Sequence, residues 1–427
     1  MKYFIHTTGC KANQWDTHVI SENLKKAGLV RGSMAESDYI IINACTLTEG
    51  AERDIRRFIN RSRRENPSAR LVLAGCHGQV FPDRDFGANL VLGHEEKFHI
   101  EEFLDRNGIF RSDRGSFSVE KTNIDTLQSG KTRFFLKIQD GCNNFCSYCV
   151  VPYARGVPRS RPAEETLRIL KHLKQKGVNE VVLTGIEISA YGDTISGMNL
   201  KDLLRTIETA ETPARIRMSS VDPLYIDEEF IGIVRKSNKI MKSVHIPLQS
   251  GSEEILRAMG RRYTPEAIRN TVDGLKSAMP EIGIGLDVIT GFPGEDELKF
   301  QETLTFLKDL DISYLHVFPF SARAGTKASL MQSMVSDAEK KRRVRALKEI
   351  DRLMREKFSR KFVGKQAFIV PESKIYGGKY MRGYTGSYVP VYIPYEKALE
   401  NRLIEVTIKG IEDGLLMGIA KNVERGA

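Results

Sequence analysis

The sequence predicts an α/β protein in three parts: an amino-terminal open parallel sheet, a central partial barrel of six strand–helix units, and a small carboxyl-terminal β-barrel. Three observations carry that prediction. Apolar strand-like runs alternate with amphipathic helical runs through the first hundred residues, and the alternation resumes beyond residue 133. A polar, Ser-rich stretch from Arg111 to Lys131 reads as a linker between the two series. From Phe362 on, after a long charged helix, the chain is strand-rich with Gly turns and Tyr. A length of 427 residues supports about three domains at roughly 150 residues each. The expected boundaries are 1–115, 130–361 and 362–427.

In the first part, Lys2–Thr8, Asp38–Asn43 and Arg70–Ala74 read as buried parallel strands, with helical periods around Thr17–Ala27 and Ala51–Arg64. Each strand run ends at a cysteine: TTGC, INAC and LAGC. The second part offers strands at Arg133–Gln139, Glu180–Leu183, Arg215–Met218, Ser243–Ile246, Gly283–Ile289 and Ser313–Val317. Their carboxyl ends are the expected reactive face. A helix over Asp337–Lys361 follows, with Val344, Leu347, Ile350, Leu353, Met354 and Phe358 as its apolar stripe.

Hydrophobic residues make up 41% of the chain and charged residues 28%, which excludes disorder and a disulfide-stapled miniature scaffold. No run approaches the roughly 20 apolar residues of a membrane span, and MKYFIHTTGC is strand-like rather than a signal sequence. The expectation is a cytoplasmic protein with no membrane partner. In a reducing compartment six cysteines favour metal or redox chemistry over disulfides.

Cys142, Cys146 and Cys149 form a C-x3-C-x2-C loop directly after a strand. Three soft thiolates suit an iron–sulfur cluster or zinc, but no fourth Cys or His lies at zinc-ligand spacing. Buried structural cysteines are the bland alternative. Cys10, Cys45 and Cys76 are nearly evenly spaced, and even spacing becomes clustering where parallel strands end along one sheet edge. Packing is the alternative there too.

The cysteine loop, with Tyr148 before its third cysteine, resembles the radical S-adenosylmethionine superfamily. With the first trio, the chain resembles the methylthiotransferase family over nearly its whole length. GCKANQ, INACTLT and LAGCHGQ carry that resemblance in front. In the middle it is carried by YARGVPRSR, VVLTGIEISAYG, IPLQSGSEEILRAMGRRYT, DVITGFPGE and HVFPFSARAGT, and at the end by GYTGSYVPVYIP. The resemblance implies two [4Fe–4S] clusters, one on each trio, and S-adenosyl-L-methionine. Reductive cleavage would yield a 5′-deoxyadenosyl radical, and the auxiliary cluster on Cys10, Cys45 and Cys76 would carry the sulfur to be inserted. It places Gly185 and Glu187 at the methionine amino group, and Tyr148 suits packing on the adenine or within its own loop. Ser219, Gln249 and Asp287, at later strand ends, fit carboxylate or ribose contacts, though each also fits a turn-capping role. GFPGE lacks a phosphate-binding Lys and reads as a barrel turn. The terminal segment resembles the TRAM domain, a small RNA-binding barrel.

Charge points to a polyanionic partner. The net charge is +10, and residues 339–361 alone hold 11 basic and 4 acidic side chains. Tyr376, Tyr380, Tyr384, Tyr388 and Tyr392 suit base stacking or barrel-wall packing. Arg155, Arg159 and Arg161 suit a phosphate or a carboxylate on a modified base, with ordinary surface ion pairs as the alternative. GCKANQ and YARGVPRSR are most similar to the branch acting on N6-threonylcarbamoyladenosine (t6A) at tRNA position 37. The expected reaction is its 2-methylthiolation on the anticodon stem-loop, with flavodoxin or ferredoxin as low-potential electron donor. Competing readings are methylthiolation of isopentenyladenosine-37 or of a ribosomal-protein aspartate, and a non-catalytic metal-containing RNA-binding protein.

Overall fold

The computed structural model describes residues 1–120, 122, 124 and 132–421. The remaining part of the expected linker, the first two residues of the 130–361 segment and the last six of the chain lie outside the described residues.

The amino-terminal sheet consists of β1 (Lys2–Thr7), β2 (Val30–Arg31), β3 (Tyr39–Ala44), β4 (Arg70–Gly75), β5 (Leu90–Leu92) and β6 (Gly108–Phe110). Its order is β2-β1-β3-β4-β5-β6, every pairing parallel. β3 (YIIINA) is buried throughout because both faces are covered. Tyr39 and Ile41 pack with Ile20 and Leu24 of helix α1 (Lys11–Lys26). Ile40 and Ile42 pack with Ile55 and Ile59 of α2 (Glu49–Glu65) on the other side. The Thr48 hydroxyl caps α2 by accepting from the Ala51 N–H, and Arg63 and Arg64 suit its carboxyl end. Helix α3 (Cys76–Val80) follows β4 directly.

The central part opens with β7 (Arg133–Lys137) and a two-stranded ribbon of β8 (Gln139–Asp140) and β9 (Arg159–Ser160) that flanks the short helix α4 (Val151–Arg155). β10 (Glu180–Thr184) and β11 (Arg215–Met218) join β7. β12 (Ser243–Gln249), β13 (Gly283–Thr290) and β14 (Tyr314–Pro319) form the other half. A parallel bridge between Ile216 and Ile240 links the halves. The run β7-β10-β11-β12-β13-β14 is thus the expected six-stranded partial barrel, open between β7 and β14. Between them lie α5 (Ala163–Gln175), α6 (Leu200–Thr209), α7 (Glu228–Lys236), α8 (Glu253–Met259), α9 (Pro265–Ala278) and α10 (Glu297–Asp309), with α11 (Asp337–Arg360) after β14. The stripe of α11 differs from the expected one. Leu347, Ile350, Met354 and Phe358 are buried, but Leu353 is 51% exposed. Steps of four from Ile350 carry the buried ridge past Leu353. Arg343 takes the next inward position, its charge held 2.8 Å from Glu295 Oε2. That carboxylate also accepts from Gly291 N–H, so the GFPGE turn is stapled to α11.

The stretch expected to be a loose linker is not loose up to residue 120. Glu120 is buried, receives Trp15 Nε1–H and pairs with Arg161 and Lys137. Trp15 itself packs edge-on against Phe134 of β7, so the first sheet and the barrel share one core.

The carboxyl-terminal sheet has the order β15-β18-β19-β17-β16, from β15 (Gln366–Ile369), β16 (Tyr380–Tyr384), β17 (Pro390–Pro394), β18 (Ile404–Glu412) and β19 (Leu415–Ala420). It curls until β16 meets β15, where a Cβ on Gly383 would lie 2.8 Å from Ile369 Cβ. This half-barrel seats on the amino ends of the barrel strands. Arg215 donates to the carbonyls of Phe368 and Tyr384, and Arg217 to that of Thr385. Both arginines are neutralised by Glu180, the first residue of β10. The tyrosines join this packing rather than forming an open stacking platform. Tyr384 stacks on Tyr388, Tyr388 meets Tyr314, and Tyr376 meets Tyr392 edge-on. Turns break the register that a single face would need.

Burial would raise the Glu180 carboxyl, but Arg217 and Arg215 bring it down to about 2. A carboxylate depressed on folding stabilises above its ordinary 4.5, and the contribution is lost as pH falls from there toward 2. Glu180→Gln leaves two buried guanidiniums unpaired and is expected to cost about 3 kcal/mol, read by urea unfolding at pH 7. The difference from the parent is expected to shrink on acidification below pH 4. Among the described residues no helix is long and apolar enough to cross a membrane.

Candidate active site

The first cysteine trio is assembled by strand order. β1, β3 and β4 are adjacent and parallel, so Cys10, Cys45 and Cys76, each just past a strand end, share one edge. Two glycines in left-handed backbone make the approach possible. Gly9 has φ +93°, and a Cβ there would fall 2.4 Å from Cys45 Cβ; Gly75 has φ +94° and leaves room for Asn43 Oδ1. Thr8 Oγ1 accepts from the Cys45 N–H. Burial, then the charges of Cys76 and Cys10, push the Cys45 thiol up to about 12. Burial likewise raises Cys10.

The second trio lies on the loop between β8 and α4. Gly141 (φ +74°) admits Val157 O where a Cβ would come within 2.0 Å. Ser147 N–H donates to Met259 O, Ser147 O accepts from Ala328 N–H, and Cys142 N–H donates to Gly156 O. Burial pushes the Cys149 thiol up to about 12, with Cys146 and Cys142 adding to the rise. In both trios, thiolates are costly without a compensating cation, which is what a multi-iron centre supplies. Neither trio brings three sulfurs within 4.8 Å of one another, whereas donor atoms of His245, Asp287 and His316 do meet that spacing. The thiols therefore fit a polynuclear cluster better than one zinc ion.

The two trios face each other. α3, which opens at Cys76, packs on α4, which follows Cys149. Arg155, at the end of α4, donates to Asp140 of its own loop (2.9 Å), Asp16 of α1 (2.9 Å) and Asn13. Its charge is felt by both Cys10 and Cys45. Lys137 bridges Asp16 and Asp140, and Lys97 joins Asp16, all buried. Burial alone would raise the Asp16 carboxyl, yet Lys137, Lys97 and Arg155 hold it well below the usual range.

Of the two readings of these arginines, the structure shows ion pairing. Arg155 and Arg161 are each 1% exposed and spent on internal carboxylates, Arg161 on Glu120 and Glu165, so neither reaches RNA. Arg159 is spent likewise, on Asp140, His94 and the Ser118 carbonyl. The C-x3-C-x2-C neighbourhood drew these residues toward a binding role. The signal for an internal one was the acidic partner set, scattered over Asp16, Glu120 and Asp140.

Beside Cys146 opens a cleft of about 290 Å³ lined by Asn144, Glu187, Ser189, Asp222, Arg261 and Tyr263. Glu187 N–H donates to Gln139 Oε1, and Asn144 Nδ2 lies 3.3 Å from the carboxylate. Burial, then Asp222, raises the Glu187 carboxyl. Gly185 N–H donates to Ser219 Oγ, and a Cβ on Gly185 would crowd Gln139. Tyr148 O–H accepts from Arg261, its ring edge-on to Phe292. Gln249, at a bulge ending β12, is buried with φ +71°. Asp287 stands apart from this cleft, accepting from His245 Nε2 at 2.8 Å and lying 3.4 Å from His316 Nδ1. Sequence reasoning passed over Asn144, Asp222, Arg261, His245 and His316. All but Asp222 sit in runs already singled out, and only the fold separates wall from turn.

Comparison with known proteins agrees with both halves. Residues 136–307 match the Radical SAM superfamily, and residues 2–90 match an uncharacterized protein family, UPF0004. The chain is 39% identical to threonylcarbamoyladenosine tRNA methylthiotransferase MtaB of Aquifex aeolicus over 89% of its own length and 96% of the relative's. It is 31% identical to tRNA-2-methylthio-N(6)-dimethylallyladenosine synthase of Lachnoclostridium phytofermentans, over 98% and 95%. Among solved structures, the radical S-adenosylmethionine methyltransferase TsrM of Kitasatospora setae, with cobalamin and a [4Fe–4S] cluster bound, shares the fold at TM-score 0.57. Identity there is 17%, over 74% of each chain.

Proposed function

The chain belongs to the radical S-adenosylmethionine methylthiotransferase family, and from that premise we propose that it converts t6A at tRNA position 37 to its 2-methylthio derivative. One observation carries the reading: two incomplete thiolate sets on facing edges of a sheet and a barrel, with Arg155 between them. The name of the Aquifex relative supports the t6A branch.

The cofactors are two [4Fe–4S] clusters and S-adenosyl-L-methionine. When bound, they supply reductive radical chemistry and a sulfur donor. Cys142, Cys146 and Cys149 hold one cluster, and Cys10, Cys45 and Cys76 the other. Glu187, steadied by Gln139, accepts the cosubstrate's ammonium through charge-assisted hydrogen bonds. Ser219 fixes Gly185, whose missing side chain leaves the strand end open to the methionine. Tyr148, pinned by Arg261, forms the apolar wall. The partners are the tRNA anticodon stem-loop and a low-potential flavodoxin or ferredoxin, and the compartment is the cytoplasm.

The Lachnoclostridium relative favours a second reading, dimethylallyladenosine as substrate. Reconstituted, reduced protein incubated with tRNA bearing either modification and analysed by nucleoside mass spectrometry separates the two. Formation of 2-methylthio-t6A is expected. Conversion of the dimethylallyl nucleoside alone would reverse the choice, and a protein that releases no 5′-deoxyadenosine would be a non-catalytic RNA binder.

A further inference from the structure

We propose that Lys11 and His316, from opposite sides of the barrel's open edge, read the threonylcarbamoyl group, with Lys11 taking its carboxylate. The inference rests on the t6A reading above. Of the two candidate nucleosides, only t6A carries an anion on its N6 substituent; the dimethylallyl group has no charge and no hydrogen-bonding atom. A protein that tells them apart needs an uncommitted cation near the cysteine trio.

Lys11 opens α1, one residue beyond Cys10, and its side chain is exposed. Helix α1 packs on β7, one border of the barrel opening. The Lys11 ammonium lies within electrostatic range of Arg133, Asp287 and Arg217, which belong to β7, β13 and β11. It therefore addresses the barrel interior. Among the described residues it makes no hydrogen bond or ion pair. Its neighbours are committed: Arg133 to Glu372, Arg217 to Glu180 and the Thr385 carbonyl, Asp287 to two imidazoles.

His316 lies on β14, the other border. Tyr314 O–H touches His245 Nδ1 at 3.2 Å and His245 Nε2 meets Asp287, so the carboxylate is fixed in place. Asp287 in turn orients His316 through Nδ1. The ring remains 49% exposed, and Nε2 has no partner among the described residues. With Nδ1 turned to Asp287, His316 leaves its exposed Nε2 for the ureido group or the threonyl hydroxyl. The substrate's anion thus meets Lys11 and its uncharged polar groups meet His316.

The test is equilibrium binding, by fluorescence anisotropy, of anticodon stem-loops carrying t6A, dimethylallyladenosine or unmodified adenosine to the cluster-loaded full chain. Lys11→Met is expected to weaken the t6A stem-loop roughly 10- to 100-fold, in line with a lost charged hydrogen bond. The other two stem-loops are expected to change less than about 2-fold on the same scale, with iron content and the cluster spectrum matching the parent. Lys11→Arg is expected to restore most of the difference, and His316→Ala to weaken t6A alone. Unchanged t6A binding in Lys11→Met overturns the assignment, as does equal weakening of all three or loss of iron. A parent protein without preference for the t6A stem-loop overturns the substrate reading first, and the assignment with it.

Discussion

Cys45→Ala is expected to abolish methylthio transfer and remove roughly half of the bound iron, while release of 5′-deoxyadenosine from S-adenosylmethionine continues. Cys45 stands between Cys10 and Cys76 because β3 stands between β1 and β4. Its thiol carries the added repulsion of both neighbours. The loop of Cys142, Cys146 and Cys149 is stitched to Met259, Ala328 and Gly156, with no bond to Cys45. The two losses should therefore separate: Cys146→Ala stops 5′-deoxyadenosine release and spares the other half of the iron. Iron analysis beside chromatographic detection of 5′-deoxyadenosine reads both. If Cys45→Ala kept its full iron and still transferred the methylthio group, the auxiliary trio would be a packing feature only.

The six barrel strands and the strand-end placement of Cys10, Cys45 and Cys76 were legible because each rests on local signals. The strand runs end at cysteines, and the loop spacing is contained in eight residues. What stayed hidden depends on partners far apart in sequence. Arg155 looks like a surface arginine until α1 brings Asp16 to it, 139 residues away. The tyrosine series fitted base stacking and barrel-wall packing alike, and Tyr388 is placed by β11 and β14, against Arg217 and Tyr314. Asp287, taken as a strand-end residue, reads as a contact to cosubstrate carboxylate or ribose or as a turn cap. Only the register of β12 and β14 beside it supplies His245 and His316. The apolar stripe of α11 was right in period but misplaced Leu353, since a three-residue and a four-residue step are equally helical in sequence.

Arg155→Met is expected to destabilise the protein by about 3–5 kcal/mol, lowering the thermal midpoint on the order of 10 °C. The guanidinium is the shared partner of Asp140 on the cluster loop and Asp16 on α1, both buried. Lys137 still touches both, so the site is weakened rather than emptied. The sign with pH follows from direction: burial would raise Asp16 and Asp140, but Arg155, Lys137 and their neighbours hold both well below ordinary carboxylates. Their contribution is therefore complete above about pH 4 and decays as the solution is acidified further. The deficit of the variant should be largest at neutral pH and narrow in acid. If the cost is an uncompensated charge, Asp16→Asn added to Arg155→Met should recover part of it, a non-additivity that simple loss of packing would not produce. Because Arg155 also sits within reach of Cys10 and Cys76, the same variant should lower the reduction potential of the auxiliary centre by removing a positive charge beside it. The centre on Cys142, Cys146 and Cys149 should shift less. Potentiometric EPR of the loaded variant measures both, and equal shifts would mean that Arg155 holds the domains together without tuning either site.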